Sequence, residues 1–387
     1  MTNITITPTT ARAIVSYGPY SAGGWKLEPV TLRPLQQGEL LVEIIASGIC
    51  QTDLHFAGMQ SGYGVHYPRV MGHEGAGYVR QVGAGVTVAR INDPVLLSFA
   101  SCQSCACCRR GHPAHCESYD PINFEARSRN RVFSATEDTG PTIYGQFFGQ
   151  SSFASFTIVR EESVVNMAGL VETKDDLRML APLGCGVQTG AGAVIRAAAA
   201  EPEDTVAVLG LGGVGLSAVM GARIAGCKRV IGIARNETRL KAALDCGATH
   251  VIKINPGEGS EAITAAVRGL NGGKGADVVL ETTGAVALVG EAVRMAGNKG
   301  RIVQLGVAPE GSVVELPIHE MMVSGKVFMG VVEGDVVSQE FVPRMAKWVK
   351  TGALPLEKMV RFYPAEEYEV AIRDMLAGKT TKPVIVW

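Results

Sequence analysis

A glycine-rich turn between an apolar strand and an apolar helix constrains the fold most strongly. Gly210-Leu211-Gly212-Gly213-Val214-Gly215 directly follows the segment TVAVL and opens GLSAVMGARIAG. Glycines in such a turn allow a tight reversal and let backbone N–H groups approach a pyrophosphate, and the helix N-terminus adds a favourable dipole. We therefore predict a dinucleotide-binding unit in which Gly210, Gly212, Gly213, Val214 and Gly215 form the phosphate loop.

The residues after 204 continue in the same pattern. RVIGIA, HVIKI, ADVVLET and GRIVQLG read as strands, and ETRLKAALDCG reads as a helix between the first two of them. Strands that alternate with helices favour a parallel sheet covered on both faces. The sequence therefore predicts an α/β fold with a doubly wound parallel sheet over residues 187–325.

The flanking segments have a different character. Residues 11–170 contain short apolar runs broken by turn residues, with strands expected in 38–50, 72–83 and 93–102. The polar stretch 117–146 reads as a long surface loop, and 176–200 as helical. After about residue 325 we expect the strand KVFMGVV, a helix near 338–351 and a final strand TKPVIVW. We therefore assign 1–186 and 326–387 to a β-rich domain and 187–325 to an inserted domain.

The end of the second strand of the inserted domain bears on cofactor choice. A carboxylate there usually binds the adenosine ribose, but this strand ends in Ala234 and is followed by Arg235, with Arg239 one helical turn later. Without a carboxylate, repulsion of a 2′-phosphate is lost, and arginine supplies a planar, permanently charged partner for it. The pattern favours NADP(H) over NAD(H); the alternative is that both arginines are solvated surface residues.

Five of the nine cysteines lie between 102 and 116. Cys102, Cys105, Cys108 and Cys116 supply four thiolates, which close a tetrahedral zinc shell and leave no open position, as in a structural site. The spacing before the fourth cysteine does not match the usual iron–sulfur pattern. Cys107 is left over, and a register that uses it instead of Cys108 stays open.

A second, dispersed set is framed by glycines. His73 and Cys185 each directly follow a glycine, and Cys50 lies two residues after Gly48; together they offer two thiolates and one imidazole. Three protein ligands leave a fourth position for water or substrate, as a catalytic zinc requires. Taken singly, the cysteines could be buried hydrophobic residues and His73 a satisfied core histidine.

The composition excludes several other functions. A net charge of −1 gives no basic field for nucleic acid or an anionic membrane surface. The first residues lack the basic and apolar segments of a secretory signal, and no stretch reaches the roughly 18 apolar residues of a membrane span. We expect a cytoplasmic protein that acts on small molecules, with neither nucleic acid nor membrane as a partner.

Together these motifs resemble the zinc-dependent medium-chain alcohol dehydrogenases. The segments GICQTDLHFAG and GHEGAGYVRQVG, the four-cysteine lobe, Gly184-Cys185-Gly186 and GLGGVG occur in that family's order. The segments 141–156 and 326–335 look like the aryl-alcohol (benzyl-alcohol) dehydrogenase branch. The resemblance implies a GroES-like β-rich catalytic domain, a Rossmann cofactor domain, two zinc ions per chain and a homodimer or homotetramer.

The resemblance also implies roles for individual residues. Asp53 would orient the zinc ligand His73, and Glu74 would lie just behind the metal. Thr52 and His55 would form a proton relay by way of the cofactor ribose. The turn at Gly306 and Val307 would help to position the nicotinamide.

Two positions depart from the family's pattern and change what we expect nearby. Gln51 stands where many relatives have a basic residue near the pyrophosphate, so phosphate binding would lean on the backbone and on Lys382. Ser98 replaces an aromatic pocket wall, which implies a roomier pocket with Phe147 and Phe148 as its walls.

The expected reaction is hydride transfer between a nicotinamide cofactor, with NADPH favoured, and an aromatic or conjugated alcohol/aldehyde pair. The main alternative is reduction of a conjugated C=C bond, which can dispense with zinc. A sugar or polyol dehydrogenase is less favoured because glutamate often replaces Cys185 there. A non-enzymatic zinc- and cofactor-binding module is the remaining alternative.

Overall fold

The computed structural model describes residues 9–59, 66–125, 130–135, 142–255, 257 and 259–387. The chain forms two compact units. The first comprises Met1–Cys185, Val337–Ala346 and Val360–Trp387, and the second Gly186–Val336 and Lys347–Met359.

The first unit is built on two β-structures. A closed barrel has the order β1-β2-β7-β8-β4, and an antiparallel-rich sheet has the order β10-β6-β5-β3-β18-β17, with β9 also pairing β3. The strands are β1 (Thr9–Ser16), β2 (Trp25–Leu32), β3 (Glu39–Gly48), β4 (Arg69–Val70), β5 (Gly75–Val82), β6 (Pro94–Leu97), β7 (Arg131–Ala135), β8 (Thr142–Tyr144), β9 (Phe156–Arg160), β10 (Val164–Asn166), β17 (Val360–Pro364) and β18 (Lys382–Val386).

Short helices connect several of these strands. The helices lying wholly in this unit are α1 (Gln51–Gly58), α2 (Ala106–Arg109), α3 (Tyr119–Asn123), α4 (Lys174–Leu180) and α12 (Tyr368–Leu376). A large apolar core includes the aromatic side chains of Phe56, Phe124, Phe147, Phe148 and Phe153. The expected strands in 38–50, 72–83 and 93–102 are present as β3, β5 and β6.

The second unit is a parallel sheet of order β13-β12-β11-β14-β15-β16. Its strands are β11 (Thr205–Leu209), β12 (Arg229–Ala234), β13 (His250–Lys253), β14 (Ala276–Glu281), β15 (Ala296–Gln304) and β16 (Val327–Gly330). Strand β11 is buried at every position, as expected for a central strand covered on both faces. The order reverses between β11 and β14, which is where open α/β sheets bind ligands beyond the carboxyl ends of their strands.

The helices of this unit follow the expected alternation. They are α5 (Gly186–Gly192), α6 (Gly213–Ile224), α7 (Glu237–Asp245), α8 (Ser260–Leu270), α9 (Val286–Met295) and α10 (Ile318–Ser324), while α11 (Ser338–Lys350) begins in the first unit and ends in the second. The expected α/β class with a doubly wound sheet is confirmed.

Two expectations need correction. The boundary at 326 is wrong, because Val327–Gly330 pairs in parallel with β15 and extends the sheet of the second unit. The stretch 117–146 is not one long loop: α3, β7 and β8 lie within it, and the two strands complete the barrel. The adjacent β-favouring residues Val132 and Phe133 in RVFSA were the missed signal; residues 126–129 and 136–141 lie outside the described part.

Candidate active site and metal centres

The dispersed residues Cys50, His73 and Cys185 come together in the first unit. Cys50 caps the N-terminus of α1, His73 lies between β4 and β5, and Cys185 follows a short 3-10 turn. Their ligand atoms and a carboxylate oxygen of Glu74 all lie within 4.8 Å of one another. Residues far apart in the sequence therefore form one compact cluster.

Asp53 organises this cluster from the first turn of α1. One carboxylate oxygen accepts the backbone N–H of Cys50 at 2.9 Å, which caps the helix. The other oxygen accepts the N–H of Gly72 at 3.0 Å and lies 2.8 Å from Nδ1 of His73. The expected role of Asp53 in orienting His73 therefore has a direct geometric basis.

The cluster fits a zinc ion. Nε2 of His73 is buried without a hydrogen-bond partner, although buried polar atoms are normally satisfied. The Cys185 thiol is the largest influence that holds the pKa of the Cys50 thiol well below its usual range, and thiolate is the ligating form. Burial alone would lower the pKa of His73, but Asp53 raises it well above the usual value and makes the imidazole more basic.

Glu74 lies in the cluster but forms an ion pair behind it. Its two oxygens are 2.8 and 3.0 Å from Nζ of Lys382, whose side chain is only 4% exposed. Gly48 permits this placement, since a Cβ there would lie 2.0 Å from a Glu74 oxygen. The expected role of Lys382 at a cofactor phosphate is wrong, because its ammonium group is buried and bound to Glu74.

Gln150 is a supporting residue that the sequence reasoning missed. Its Nε2 donates to the backbone carbonyls of His73 at 2.8 Å and Ser98 at 3.0 Å, and its Oε1 accepts the N–H of Gly75 at 3.1 Å. Gln146, Phe148 and Ser151, close by in the same turn, have positive φ angles. Non-glycine residues in that region cluster at functional sites, which is a signal that only coordinates supply.

The aromatic residues of this strained turn lie against the metal ligand. The ring of Phe148 stacks on that of His73 at 4.5 Å between centroids, and Phe147 meets it edge-on at 5.5 Å. Phe56 and Phe124 stack on each other at 4.2 Å and both contact Phe147. The sequence pointed to Phe147 and Phe148 but missed Phe56 and Phe124, which come from separate segments.

Ser98 does not form an open pocket wall. It has no exposed surface, and its hydroxyl donates to the Gly184 carbonyl at 2.7 Å and lies 3.0 Å from that of Ser338. The expectation of a roomier pocket at this position is therefore wrong. The small side chain instead links β6 to the turn before Cys185.

Thr52 and His55 lie on α1, beside the cluster. The Thr52 hydroxyl is 3.6 Å from the Cys50 sulfur, so it stands next to a metal ligand. His55 lies one turn further along the helix and is exposed, with its ring edge-on to Phe56. One of the two residues therefore lies near the ligands and the other at the surface.

The four-cysteine lobe closes on itself. The sulfurs of Cys102, Cys105, Cys108 and Cys116 lie within 4.8 Å of one another, and Cys107 is outside the group. Backbone N–H groups of Cys102, Cys105, Cys108 and Ser118 point at these sulfurs over 3.3–3.5 Å. Four convergent sulfurs with N–H support fit a structural zinc, and the geometry favours Cys108 over Cys107.

The glycine turn lies at the switch point of the parallel sheet. Gly210 has φ +91°, and a Cβ there would lie 2.5 Å from Thr282 Oγ1. An added Cβ at Gly212 would meet nothing within 4 Å, and α6 begins at Gly213. Backbone donors at a helix N-terminus with open space before them fit a bound pyrophosphate.

The neighbouring edge of the sheet holds the other expected cofactor residues. Ala234 ends β12, Arg235 is exposed, and burial lowers the pKa of Arg239. Val307 is largely exposed. Gly306 packs so closely against Gly284 that a Cβ added to Gly306 would lie 2.1 Å from the Gly284 backbone nitrogen.

A buried carboxylate that the sequence reasoning missed fixes these loops. Glu281, at the end of β14, accepts the N–H of Thr283 at 2.8 Å, that of Gly284 at 2.9 Å and Nε2 of Gln304 at 3.0 Å. Gln304 also donates to the Gly306 carbonyl at 2.7 Å. The turns after β14 and β15 are therefore held together by the side chains of Glu281 and Gln304.

A parallel nucleotide-type sheet joined to a unit with an open Cys-His-Cys cluster defines a metal-dependent oxidoreductase. The comparisons with known proteins agree: a model of the alcohol dehydrogenase GroES-like domain matches residues 36–169, and one of the zinc-binding dehydrogenase matches residues 213–351. The chain belongs to the zinc-dependent medium-chain alcohol dehydrogenase family, with a GroES-like and a Rossmann domain. It is accordingly an oxidoreductase that uses a nicotinamide cofactor.

Individual relatives are similar along almost their whole length. Geraniol dehydrogenase of Castellaniella defragrans is 35% identical over 367 residues, which is 94% of this chain and 95% of that protein. An alcohol dehydrogenase zinc-binding domain protein from Burkholderia ambifaria has a TM-score of 0.91 and 34% identity, covering 98% of this chain and 99% of the other. Benzyl alcohol dehydrogenase from Acinetobacter calcoaceticus has a TM-score of 0.87 and 32% identity, with the same coverage.

Among the described residues, the longest and most apolar helices still fall short of what crossing a membrane requires.

Proposed function

We propose that this chain transfers hydride between NADP(H) and an aromatic or conjugated alcohol/aldehyde pair. The observation that carries the proposal is the Cys50–His73–Cys185 cluster, with an unpartnered His73 nitrogen and two phenylalanine rings against the same imidazole. Zinc bound by these three residues would act as a Lewis acid on the substrate oxygen, and the nicotinamide would accept or supply the hydride.

The chain's own residues have distinct tasks in this proposal. Asp53 holds the His73 ring in a single orientation through Nδ1, which leaves Nε2 directed at the metal position. Thr52 accepts or gives the proton next to the ligands, and His55 exchanges it with water at the surface. The aromatic residues, which are almost fully buried, exclude water from the metal ligand.

The substrate class rests on the aromatic surroundings and on the relatives. Phe147 and Phe148 are 1% and 3% exposed and make the surroundings of the metal ligand apolar and aromatic, which favours an aromatic or conjugated substrate over a polar one. The names of two similar proteins, a geraniol dehydrogenase and a benzyl alcohol dehydrogenase, point in the same direction.

Metal content and turnover test the function together. We expect two zinc ions per chain and oxidation of NADPH with benzaldehyde or cinnamaldehyde, with the corresponding alcohol as product. A saturated product from cinnamaldehyde, with its carbonyl intact, would indicate C=C reduction instead. A zinc-replete preparation inactive on a broad aldehyde panel contradicts the proposal.

We propose that residues at the end of β12 make the enzyme prefer NADP(H) over NAD(H). Ala234→Asp places a carboxylate where it repels a 2′-phosphate and can accept the ribose hydroxyl groups of NAD(H). We expect the ratio of kcat/KM for NADPH to that for NADH to fall by about 10- to 100-fold, the size of one or two charged interactions. Arg235→Gln should lower the same ratio by weakening NADPH binding alone, and an unchanged ratio in both variants places the selection elsewhere.

We also propose that the chain forms a homodimer or a higher homo-oligomer. The second unit exposes five apolar residues, of which Val313 precedes α10, Ile318, Met322 and Val323 lie in α10, and Val327 begins β16, the last strand of the sheet order. An exposed strand edge beside apolar side chains is normally covered, and a second copy of the same face is the simplest symmetric cover. A purified chain that stays monomeric at micromolar concentration in light scattering contradicts this.

A further inference from the structure

Arg69 is a buried cation that uses only part of its hydrogen-bonding capacity. It lies in β4 with 3% of its surface exposed. Its Nη2 donates to the Phe124 carbonyl at 3.4 Å, and its Nη1 is buried without a hydrogen-bond partner. A buried guanidinium normally has a carboxylate or several acceptors, because removing the charge from water is costly.

Within the described ranges, no carboxylate forms an ion pair with this side chain. Burial lowers the pKa of Arg69 to about 10, so the group still carries its charge at neutral pH. Arg33 in the same unit is paired with a carboxylate in the usual way: its two terminal nitrogens donate to both oxygens of Glu39 at 2.7 and 2.8 Å. Arg69 therefore has a charge and a donor group for which the described residues supply no acceptor.

The position of Arg69 relative to the catalytic cluster indicates which acceptor this guanidinium binds. Its guanidinium carbon lies 5.1 Å from the centre of the Phe147 ring, and the same ring lies 5.5 Å from the ring of the ligand His73. The Phe124 carbonyl that it contacts belongs to the same aromatic group. One aromatic ring thus separates a metal ligand from an unsatisfied cation.

We propose that Arg69 determines substrate specificity by binding an acceptor oxygen at the end of the substrate remote from the reacting carbonyl. The inference rests on the proposed function and narrows its substrate class to aromatic aldehydes and alcohols that carry such an oxygen, with a carboxylate as the best partner. A carboxylate matches the planar fork of a guanidinium and neutralises its charge, whereas a neutral ether oxygen fills only one hydrogen bond.

The unmodified enzyme provides the first test. We compare kcat/KM for para-formylbenzoate, para-methoxybenzaldehyde and para-methylbenzaldehyde, since the methyl group occupies similar space but cannot accept a hydrogen bond. We expect para-formylbenzoate to exceed para-methylbenzaldehyde by about 10- to 100-fold, with the methoxy compound between them. Equal values, or a preference for the methyl compound, overturn the inference while leaving the dehydrogenase function in place.

Variants then assign the preference to this side chain. In Arg69→Met the ratio of kcat/KM for the carboxylate to that for the methyl compound should fall by about ten-fold or more, whereas Arg69→Lys should retain part of it. Arg33→Met removes another arginine of the same unit and should lower thermal stability without changing the ratio. A proportional loss on all substrates in Arg69→Met shows a purely structural role.

Failure of the two proposals can be told apart. If the zinc-replete enzyme turns over none of the aldehydes, the proposed function fails and the specificity inference fails with it. If Arg69→Met does not fold, the substrate comparison in the unmodified enzyme and in Arg69→Lys still decides the question.

Discussion

The two cysteine-containing clusters of the first unit are built in opposite ways. The lobe draws four sulfurs from the single segment between Cys102 and Cys116, and backbone N–H groups within and beside that segment bond to them. The cluster of Cys50, His73 and Cys185 is assembled from three distant segments. One cluster is a local feature of the chain, and the other exists only once the unit has folded.

The difference shows in what surrounds each cluster. The lobe offers four sulfurs, which fill a tetrahedral shell. The dispersed cluster offers three donors, with a carboxylate bound to Lys382 and two aromatic rings beside them. It depends on Asp53 and Gln150, which connect it to a helix and to a strained turn. We infer that the local cluster serves stability and that the dispersed one serves chemistry.

Removing a ligand of the dispersed cluster should have the largest effect. Cys185→Ala leaves two donors and removes the thiolate that fixes the metal, so we expect kcat/KM to fall by about 10³-fold or more, the loss of several kcal/mol of charge stabilisation. Circular dichroism should show an intact fold, because alanine fits the space of a buried cysteine. Near-normal turnover would contradict the assignment of Cys185 as a ligand.

Removing a ligand of the lobe should affect stability instead. Cys108→Ser should reduce zinc from two ions to one per chain and lower the free energy of unfolding by about 3 kcal/mol or more, since metal binding is coupled to folding. The kcat of the folded fraction, measured below its melting temperature, should change by less than about three-fold. Cys107→Ser is the matched control and should alter neither quantity; if it removes zinc and Cys108→Ser does not, the register is the other one.

The support of the dispersed cluster can be weakened without removing a ligand. In Asp53→Asn the side chain keeps its shape but loses its charge, so the hold on His73 weakens and the cap of α1 is partly kept. Changes to such supporting partners typically cost 10- to 100-fold in metal affinity or activity, so we expect about that loss in zinc affinity, measured by competition with a chelator. An unchanged zinc affinity would show that the ligands hold the metal without this support.

The sequence was sufficient for the parts that are local. The strand, glycine turn and helix from Thr205 to Ile224, and the cysteine spacing of the lobe, are short-range patterns whose geometry follows from the backbone. Nothing in the spacing of Cys50, His73 and Cys185 predicts that they come together. Family resemblance was therefore needed to name them as ligands.

The parts that failed depend on tertiary contacts. Lys382 was expected at a phosphate but is paired with Glu74, and that choice depends on how β18 lies beside β3. Ser98 has a hydrogen-bonding partner in Gly184, more than eighty residues later in the chain. Gln150 and Glu281 were missed because a buried polar hub is recognised by its partners and not by its residue type.

The smallest expected effect lies at the ion pair of Glu39 with Arg33, which is hydrogen-bonded to the start of the aromatic turn. Burial alone raises the pKa of Glu39, but hydrogen bonds from Arg33 and the Gln36 backbone outweigh it and lower the pKa from its usual value. Nε2 of Gln146, which precedes Phe147, donates to the same carboxylate at 2.7 Å. We expect Glu39→Gln to lower the free energy of unfolding by about 1–2 kcal/mol at pH 7, with less than about three-fold change in kcat.

The pH dependence of this loss in unfolding free energy shows whether the charge of Glu39 causes it. A carboxylate with a lowered pKa in the folded state stabilises the protein above its unfolded-state pKa, and the contribution disappears as the pH falls through the folded value. The difference between wild type and Glu39→Gln in urea unfolding should therefore be full at pH 7 and shrink below about pH 4.5. Glu43→Gln, which breaks a more exposed pair with Arg80, is the control for general acid effects and should show a much smaller difference at every pH. If the difference in unfolding free energy between wild type and Glu39→Gln stays the same at low pH, the shape of the side chain and not its charge holds the aromatic turn. The dispersed cluster would then depend less on distant support than the comparison with the lobe implies.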